Sequence, residues 1–118
     1  MIDTKELRIG NVIYLNGKKT AVSSDDIAFL AKCQLLGINC EATPVRVTEE
    51  TLKTLGFTYE FENVSNRVYS KEGINLQIHS SEGICLYIKG EKLGKSFFYV
   101  HQLQNLWFSL LGKEITNL

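Results

Sequence analysis

Two runs of alternating apolar and polar residues, at 57–62 and 74–79, limit the folds that this chain can adopt. A period of two places successive side chains on opposite faces of a β-strand, so each run predicts a half-buried strand. Clusters of turn-forming residues separate four or five such strands, the last at 97–100, and these clusters lie at 63–66, 72–73, 80–83 and 90–94. We therefore predict an antiparallel meander for this half of the chain.

The first half of the chain predicts a β-hairpin and a helix. Asn16-Gly17 separates two short β-runs, and this dipeptide strongly favours a two-residue hairpin turn. Ser23 or Ser24 is suited to cap the helix that follows, and Gly37 is suited to end it. Apolar residues at helical spacing form the predicted core face of this helix, namely Ile27, Leu30, Ala31 and Leu35.

Two further helices complete the predicted fold. Thr48 is suited to cap a short helix that ends before Gly56, and the last helix, within 101–112, ends at Gly112. The last helix has an apolar stripe at helical spacing, so we expect it to cover the meander. The predicted fold class is α+β: an N-terminal β-hairpin and two short helices, then an antiparallel β-meander covered by a C-terminal helix.

Length and charge narrow the possible functions. The chain has 118 residues, enough for a single compact domain that spans residues 1–118. Thirteen basic residues balance thirteen acidic ones, so no overall field gathers nucleic acid or an anionic membrane. The longest apolar runs have five residues, whereas a membrane-spanning helix needs about 20. With no recognisable secretory signal, we expect a cytoplasmic protein with no membrane contact.

The cysteines and histidines indicate neither a metal site nor an enzyme. Cys33, Cys40 and Cys85 form no CxxC pair, so we expect reduced thiols, with Cys33 and Cys85 as small buried side chains. No short Cys or His spacing supports a metal site, and we expect no cofactor. A nucleophilic pair of Cys40 or Cys85 with His101 stays open, because such partners meet only in space. We predict no catalytic residues.

Lysines beside two glycines form the first candidate anion site. Three residues separate Gly90 from Gly94, whereas a phosphate loop of the Walker type needs four. The next segment is typical of a strand and not of a helix, which argues against a nucleotide hydrolase of this kind. The loop is still a candidate phosphate site through Lys89, Lys92 and Lys95, and the alternative is a hairpin with ordinary surface lysines.

The N-terminus of the last helix is the second candidate site. Its first turn has no acidic residue, and no Ser, Thr, Asp or Asn directly precedes it. Its N–H groups therefore favour an anion, unless a group remote in sequence caps them. The predicted ligand-binding residues here are His101, Gln102, Gln104 and Asn105. Gln104 and Phe108 also form a mixed polar and apolar stripe that we expect to contact a partner or a second copy.

Three segments, at 6–12, 44–57 and 99–114, resemble a family of small proteins from phages, prophages and mobile elements of gut bacteria. The specific part of the resemblance is the block VHQLQNL at 100–106, and the resemblance spans nearly the whole chain. Members often carry Tyr where this chain has Trp107, which keeps an aromatic residue in the apolar stripe. The resemblance implies a phage or mobile-element accessory gene and identifies no catalytic residue.

This genomic setting favours binding over catalysis. We predict a non-enzymatic, homo-oligomeric binding protein that sequesters a small anionic, nucleotide-like ligand, as in anti-defence, or that occupies a host protein. One alternative is a nucleic-acid-binding regulator that uses lysines on hairpin tips, including Lys18 and Lys19, although the balanced charge argues against it. The other alternative is a small cysteine–histidine enzyme.

Overall fold

The computed structural model describes residues 2–62, 66–79 and 83–115 of the chain. A short 3-10 turn at Thr4–Glu6 precedes the strands and helices, which in chain order are β1 (Val12–Leu15), β2 (Lys18–Ala21), α1 (Ser24–Leu36), β3 (Ala42–Pro44), α2 (Glu49–Thr54), β4 (Thr58–Glu62), β5 (Asn66–Lys71), β6 (Ile74–His79), β7 (Gly83–Ile88), β8 (Glu91–Phe97) and α3 (Val100–Leu111). The hairpin and two helices precede a five-stranded antiparallel meander and a C-terminal helix, so the predicted α+β class is confirmed. Of the helices in these ranges, none is long and apolar enough to cross a membrane.

The described chain groups into two compact units. The first combines residues 2–46 with 99–115, and the second comprises residues 47–98. The first unit therefore joins the two ends of the chain, and α3 belongs to it. Two predictions involve the arrangement of the two units: that the chain is a single domain, and that α3 covers the meander. Both stay predictions.

The first unit begins with the predicted hairpin. Asn16 and Gly17 have φ angles of 52° and 77°, the left-handed conformation that a tight hairpin turn requires at both central residues. Strand β1 pairs antiparallel with β2 on one side and with β3 on the other. The core of this unit lies between the sheet, α1 and the N-terminal segment, and its buried members are Ile2, Leu7, Ile13, Val22, Leu30 and Ala42.

Helix α1 has the caps that its sequence predicts. The Ser23 hydroxyl accepts from the N–H of Asp26 at 3.1 Å, and the Asp26 carboxylate accepts from the N–H of Ser23 at 3.0 Å. The predicted core face is wrong at Leu35, which is exposed, whereas Cys33 is buried beside Leu30. Leu35 lies in the last turn of α1, and the buried stripe of this helix continues from Leu30 to Cys33 at a spacing of three.

A disulfide bond joins Cys33 to Cys40, so the expectation of reduced thiols is wrong for these two cysteines. Gly37 ends α1 in the left-handed conformation at φ 68°, and the N–H of Ile38 donates to the Cys33 carbonyl at 2.9 Å. This turn reverses the chain and brings Cys40 back beside the last turn of α1. Counting cysteines and searching for CxxC does not detect such a pair. Cys85 is free and buried, as predicted.

The second unit consists of α2 and the meander. The Thr48 hydroxyl accepts from the N–H of Thr51 at 3.2 Å, which caps α2 as its sequence predicts. The strands of the meander follow chain order from β4 to β8, and each pairs antiparallel with the next. Leu76 and Leu86 face each other across β6 and β7 in the buried centre of the sheet.

The predicted turn at 90–94 is confirmed at Gly90 and is wrong for residues 91–94, which belong to β8. The chain turns at Lys89 and Gly90, with φ angles of 51° and 82°, and then continues through Gly94 as strand β8. Gly94 has a φ of 70° at a register shift against β7, so it forms an irregularity within the strand and not a turn. The predicted strand at 97–100 is wrong beyond Phe97, because β8 covers Glu91–Phe97 and α3 begins at Val100.

The remaining predicted turns have different outcomes. Glu72 and Gly73, with φ angles of 51° and 80°, form the predicted turn between β5 and β6. Residues 63–65 and 80–82, in the other two predicted turns, lie outside the described residues.

We predict that breaking the Cys33–Cys40 bond lowers the free energy of unfolding by about 2.5 kcal/mol, because the bond closes the loop at residues 33–40 in the unfolded chain. Denaturant unfolding with and without a phosphine reductant measures this loss. The double variant Cys33→Ala/Cys40→Ala is the control, since the reductant should leave its unfolding midpoint unchanged. An unchanged midpoint for the reduced wild-type protein would contradict the prediction.

Candidate functional site

Gln104 is fully buried in the first unit, so its prediction as a ligand and interface residue is wrong. Its Oε1 accepts from the N–H of Val12 at 2.8 Å, and its Nε2 donates to the carbonyls of Gly10 and Ile115 at 3.3 and 3.2 Å. These bonds attach α3 to the start of β1 and to the segment after α3. The sequence contains a signal for this role, because Gln104 shares helical spacing with the buried Val100 and Trp107.

Asn105 also has a structural role. It accepts from Nδ2 of Asn11 at 2.9 Å and donates to the Glu6 carbonyl at 2.7 Å. Asn11 in turn accepts from the N–H of Arg8 at 2.7 Å. The two asparagines therefore hold the 3-10 turn against α3, which places Glu6 and Arg8 beside the first turns of this helix.

The N-terminus of α3 offers fewer free N–H groups than its sequence predicts. The N–H of Val100 donates to the Val45 carbonyl at 2.8 Å, so a group remote in sequence caps the helix. The N–H groups of Gln102 and Leu103 both donate to the Tyr99 carbonyl. The predicted lack of acidic residues in the first turn is confirmed. The helix end alone is therefore a weak reason for an anion to bind.

His101 is the exceptional group at this end of α3. The residue is only 2% exposed, and neither Nδ1 nor Nε2 has a hydrogen-bond partner among the described residues. Its ring lies nearly parallel to that of Tyr99, with centroids 6.0 Å apart. Burial lowers the pKa of His101, and the negative charge of Glu6 opposes this effect. The neutral imidazole has one N–H donor and one nitrogen acceptor to offer.

Two neighbouring cavities meet at His101. The smaller has a volume of about 270 Å³, the larger has about 600 Å³, and both are lined by Glu6, His101 and Gln102. We call the two together the His101 groove. Its other lining residues are Ile2, Pro44 and Tyr99 in the smaller cavity and Lys5, Arg8, Asn105, Phe108 and Ser109 in the larger. Three of the predicted ligand residues, His101, Gln102 and Asn105, therefore do line one groove.

Arg8 forms one wall of the His101 groove. Its guanidinium group donates to the Glu114 carboxylate at 2.9 and 3.1 Å, and it lies 4.2 Å from the centroid of the Phe108 ring. Its Nε is buried and has no hydrogen-bond partner among residues 2–62, 66–79 and 83–115. Phe108 is predicted to contact a partner or a second copy, and its side chain is partly exposed. Its ring faces Arg8 and lines the groove.

The predicted basic site belongs to the second unit. Lys89 lies in the β7–β8 turn, whereas Lys92 and Lys95 lie on strand β8 and not on a loop. All three are exposed, and Nζ of Lys92 donates to the Ser96 hydroxyl at 3.3 Å. None of them lines the His101 groove. Their role as phosphate contacts stays a prediction.

Of the two cysteine–histidine pairs that the sequence left open, the pair with Cys40 is wrong because this cysteine is in a disulfide, and the pair of Cys85 with His101 would join the two units and stays a hypothesis. Cys40 is bonded to Cys33, and Sγ of Cys85 lies 3.2 Å from the Ser96 hydroxyl. In the part of the chain that the structure describes, no three His, Cys, Asp or Glu side chains are grouped to hold a metal ion.

Sequence reasoning missed Lys5, Glu6 and Arg8 as groove residues. They lie more than ninety positions before α3, as the Asn105–Glu6 hydrogen bond shows with its separation of 99 residues. No local sequence pattern indicates that residues so far apart in the chain lie together in the fold.

Comparison of the chain with models of protein families, with curated proteins and with solved structures gives no match. The function of the groove is therefore argued from its own residues.

We predict that Gln104→Leu lowers the free energy of unfolding by about 3 kcal/mol. The leucine fills a similar volume but leaves the buried N–H of Val12 and the Gly10 and Ile115 carbonyls without their partner. Denaturant unfolding measures the loss, and Gln102→Leu at the half-buried neighbouring position is the comparison. Equal stability of Gln104→Leu and the wild type would contradict this structural role.

We also predict that His101 makes the folded protein less stable in mild acid. Its pKa is lowered in the folded state, so the unfolded state binds more protons as pH falls below the ordinary histidine value of 6.5. The free energy of unfolding should therefore fall between pH 7.5 and 5.5, and by less in the variant His101→Gln. Parallel pH profiles for the two proteins would show that His101 contributes nothing to this slope.

Proposed function

We propose that this protein is a non-enzymatic binding protein whose His101 groove holds a small anionic, nucleotide-like ligand. One observation carries the proposal: in the described part of the first unit, the buried side-chain polar atoms without hydrogen-bond partners are Arg8 Nε and both nitrogens of His101. Each such atom costs about 1 to 3 kcal/mol in the free protein. Both residues line the larger cavity, so one ligand can satisfy all three atoms.

Two cationic side chains in the groove are placed to contact an anionic ligand. Lys5 and Arg8 line the larger cavity with the Glu6 carboxylate, and Glu114 already forms a salt bridge with the Arg8 guanidinium. Lys5 is exposed and is suited to bind a phosphate group, while the N–H of Arg8 Nε adds a charge-assisted donor. Glu6 is suited to accept from an exocyclic amino group of a base.

The remaining lining residues support a planar, hydrogen-bonding ring in the same ligand. Phe108 presents a partly exposed aromatic ring, and such rings stack on nucleobases. The neutral imidazole of His101 offers one donor and one acceptor to the edge of a base. A few convergent polar groups beside an apolar ring are typical of small-ligand sites.

The resemblance of residues 99–114 to phage and mobile-element proteins supports an accessory role for such binding. A protein that sequesters a nucleotide signal needs a ligand site and no catalytic residues. We therefore assign the groove to sequestration, with an acidic side chain of a host protein as the occupant if no nucleotide binds.

We predict that calorimetry with a panel of mono-, di- and cyclic nucleotides detects binding, and that Lys5→Gln weakens it about fivefold through loss of one phosphate contact. Lys18→Gln is the matched control, because Lys18 is an exposed lysine of the same unit outside the groove. His101→Leu should weaken binding more than His101→Gln, which keeps a donor and an acceptor. Absence of heat across the panel at millimolar concentration would contradict the nucleotide assignment.

A further inference from the structure

The two cysteines of the disulfide bond differ in their access to solvent. Cys33 is buried in the last turn of α1, whereas Cys40 is half-buried. Cys40 borders a cavity of about 330 Å³, and the other residues that line this cavity are Gly17, Asn39, Glu41, Ala42 and Thr43. A thiolate that enters the cavity therefore has access to the sulfur of Cys40.

The disulfide attaches the last turn of α1 to the three-stranded sheet. Beside Cys40, the Glu41 carbonyl accepts from the N–H of Asn16 at 2.8 Å, and Ala42 of β3 pairs with β1. This side of the bond is therefore held by the sheet. Cys33, on the other side, lies at the end of a helix, where backbone hydrogen bonds open most readily. The disulfide thus restrains the last turn of α1 against fraying.

Gln34, in the same helical turn as Cys33, holds the N-terminal segment of the chain. Its Oε1 accepts from the N–H and the hydroxyl of Thr4 at 3.1 and 2.9 Å, and its Nε2 donates to the Asp3 carboxylate at 3.3 Å. Thr4 begins the 3-10 turn that contributes Lys5 to the lining of the His101 groove. The position of Lys5 therefore depends on an ordered end of α1.

We propose that Cys40 is a site of thiol–disulfide exchange with a dithiol, and that this exchange loosens the 3-10 turn beside the groove. One thiolate of the dithiol bonds to the sulfur of Cys40, the Cys33–Cys40 bond breaks, and Cys33 leaves as a thiolate that takes up a proton. The second thiolate of the dithiol then displaces Cys40, which also takes up a proton. Two electrons pass from the dithiol to the protein, and the dithiol leaves as a disulfide.

The effect of this exchange on ligand binding rests on the proposed function. With the bond open, the last turn of α1 frays more often, and Gln34 then releases Thr4. Lys5 loses its fixed position, so its contact with a phosphate group costs more conformational entropy. Asn105 still holds the Glu6 carbonyl, so the end of the 3-10 turn stays against α3. Reduction therefore weakens ligand binding through Lys5 and leaves the groove in place.

Mapping of the mixed disulfide tests the site of attack. The oxidised protein is treated with the uncharged monothiol 2-mercaptoethanol, and acid stops the reaction before it is complete. Mass spectrometry of the peptides should find the added thiol on Cys40 and a free thiol at Cys33. An adduct mainly on Cys33, or a bond that resists dithiothreitol while the protein stays folded, would overturn the proposal.

The charge beside the cavity gives a second measure of the route of attack. Glu41→Lys should speed reduction by the anionic thiol 2-mercaptoethanesulfonate about threefold relative to 2-mercaptoethanol, which corresponds to one exposed charge pair. Asp25→Lys, the same charge change at the other end of α1, is the matched control and should leave this ratio unchanged. Equal ratios for the two variants would contradict attack through the cavity.

Amide hydrogen exchange tests the loosening of the 3-10 turn. Reduction should speed exchange of the Thr4 N–H about fivefold, as expected for loss of one hydrogen bond, while the buried N–H of Val12 stays protected and so shows that the protein is folded. Gln34→Ala should make the Thr4 rate equally fast in both redox states. Lys32→Ala, at an exposed site of the same helix, should keep the difference. A Thr4 rate that does not depend on the disulfide would overturn the proposal.

Calorimetry with adenosine monophosphate, which has one phosphate and one exocyclic amino group, measures the effect on the groove. Reduction should raise the dissociation constant of the wild type about threefold, and it should have no effect on Lys5→Gln or on Cys33→Ala/Cys40→Ala. Equal affinity of the oxidised and reduced wild type would overturn control of the groove by the disulfide. Absence of binding to the oxidised protein would contradict both the proposed function and this control, whereas the adduct and the Thr4 rate decide the exchange at Cys40 separately.

Discussion

One buried amide holds together the part of the protein that contains the groove. Gln104 on α3 bonds to Gly10 and Val12 near the start of the chain and to Ile115 near its end. The first unit combines two distant segments of chain, so these bonds fix the position of α3 against β1. His101 lies one helical turn before Gln104, and its place in the groove depends on the same attachment.

The two buried polar residues of α3, Gln104 and His101, differ in their hydrogen bonding. This difference distinguishes a structural role for Gln104 from a candidate binding role for His101. Gln104 places both of its polar atoms in hydrogen bonds to the backbone, whereas neither nitrogen of His101 bonds to any part of the chain that the structure describes. A buried polar group with all its partners specifies packing. A buried polar group without partners that also lines a cavity stands where a ligand can bind it. The sequence indicates the buried position of Gln104 through its helical spacing from Val100 and Trp107, but it does not indicate that the nitrogens of His101 lack partners.

The features that sequence predicted correctly depend on residues close together in the chain. The hairpin turn needs only Asn16-Gly17, and the caps of α1 and α2 need Ser23 and Thr48 with residues three positions later. The features it missed depend on contacts across the fold. The Cys33–Cys40 bond requires the reversal at Gly37, and the groove requires Asn105 to hold the 3-10 turn against α3.

The zero net charge of the chain does not describe how the charges are arranged in the groove. In the groove, Glu6 balances Lys5 and the salt bridge to Glu114 balances Arg8, so a preference for an anion depends on where the exposed Lys5 and the buried Arg8 Nε lie and not on an excess of positive charge. Balanced composition therefore provides no overall attraction for polyanions, and the selectivity of the groove depends on where its individual charges lie.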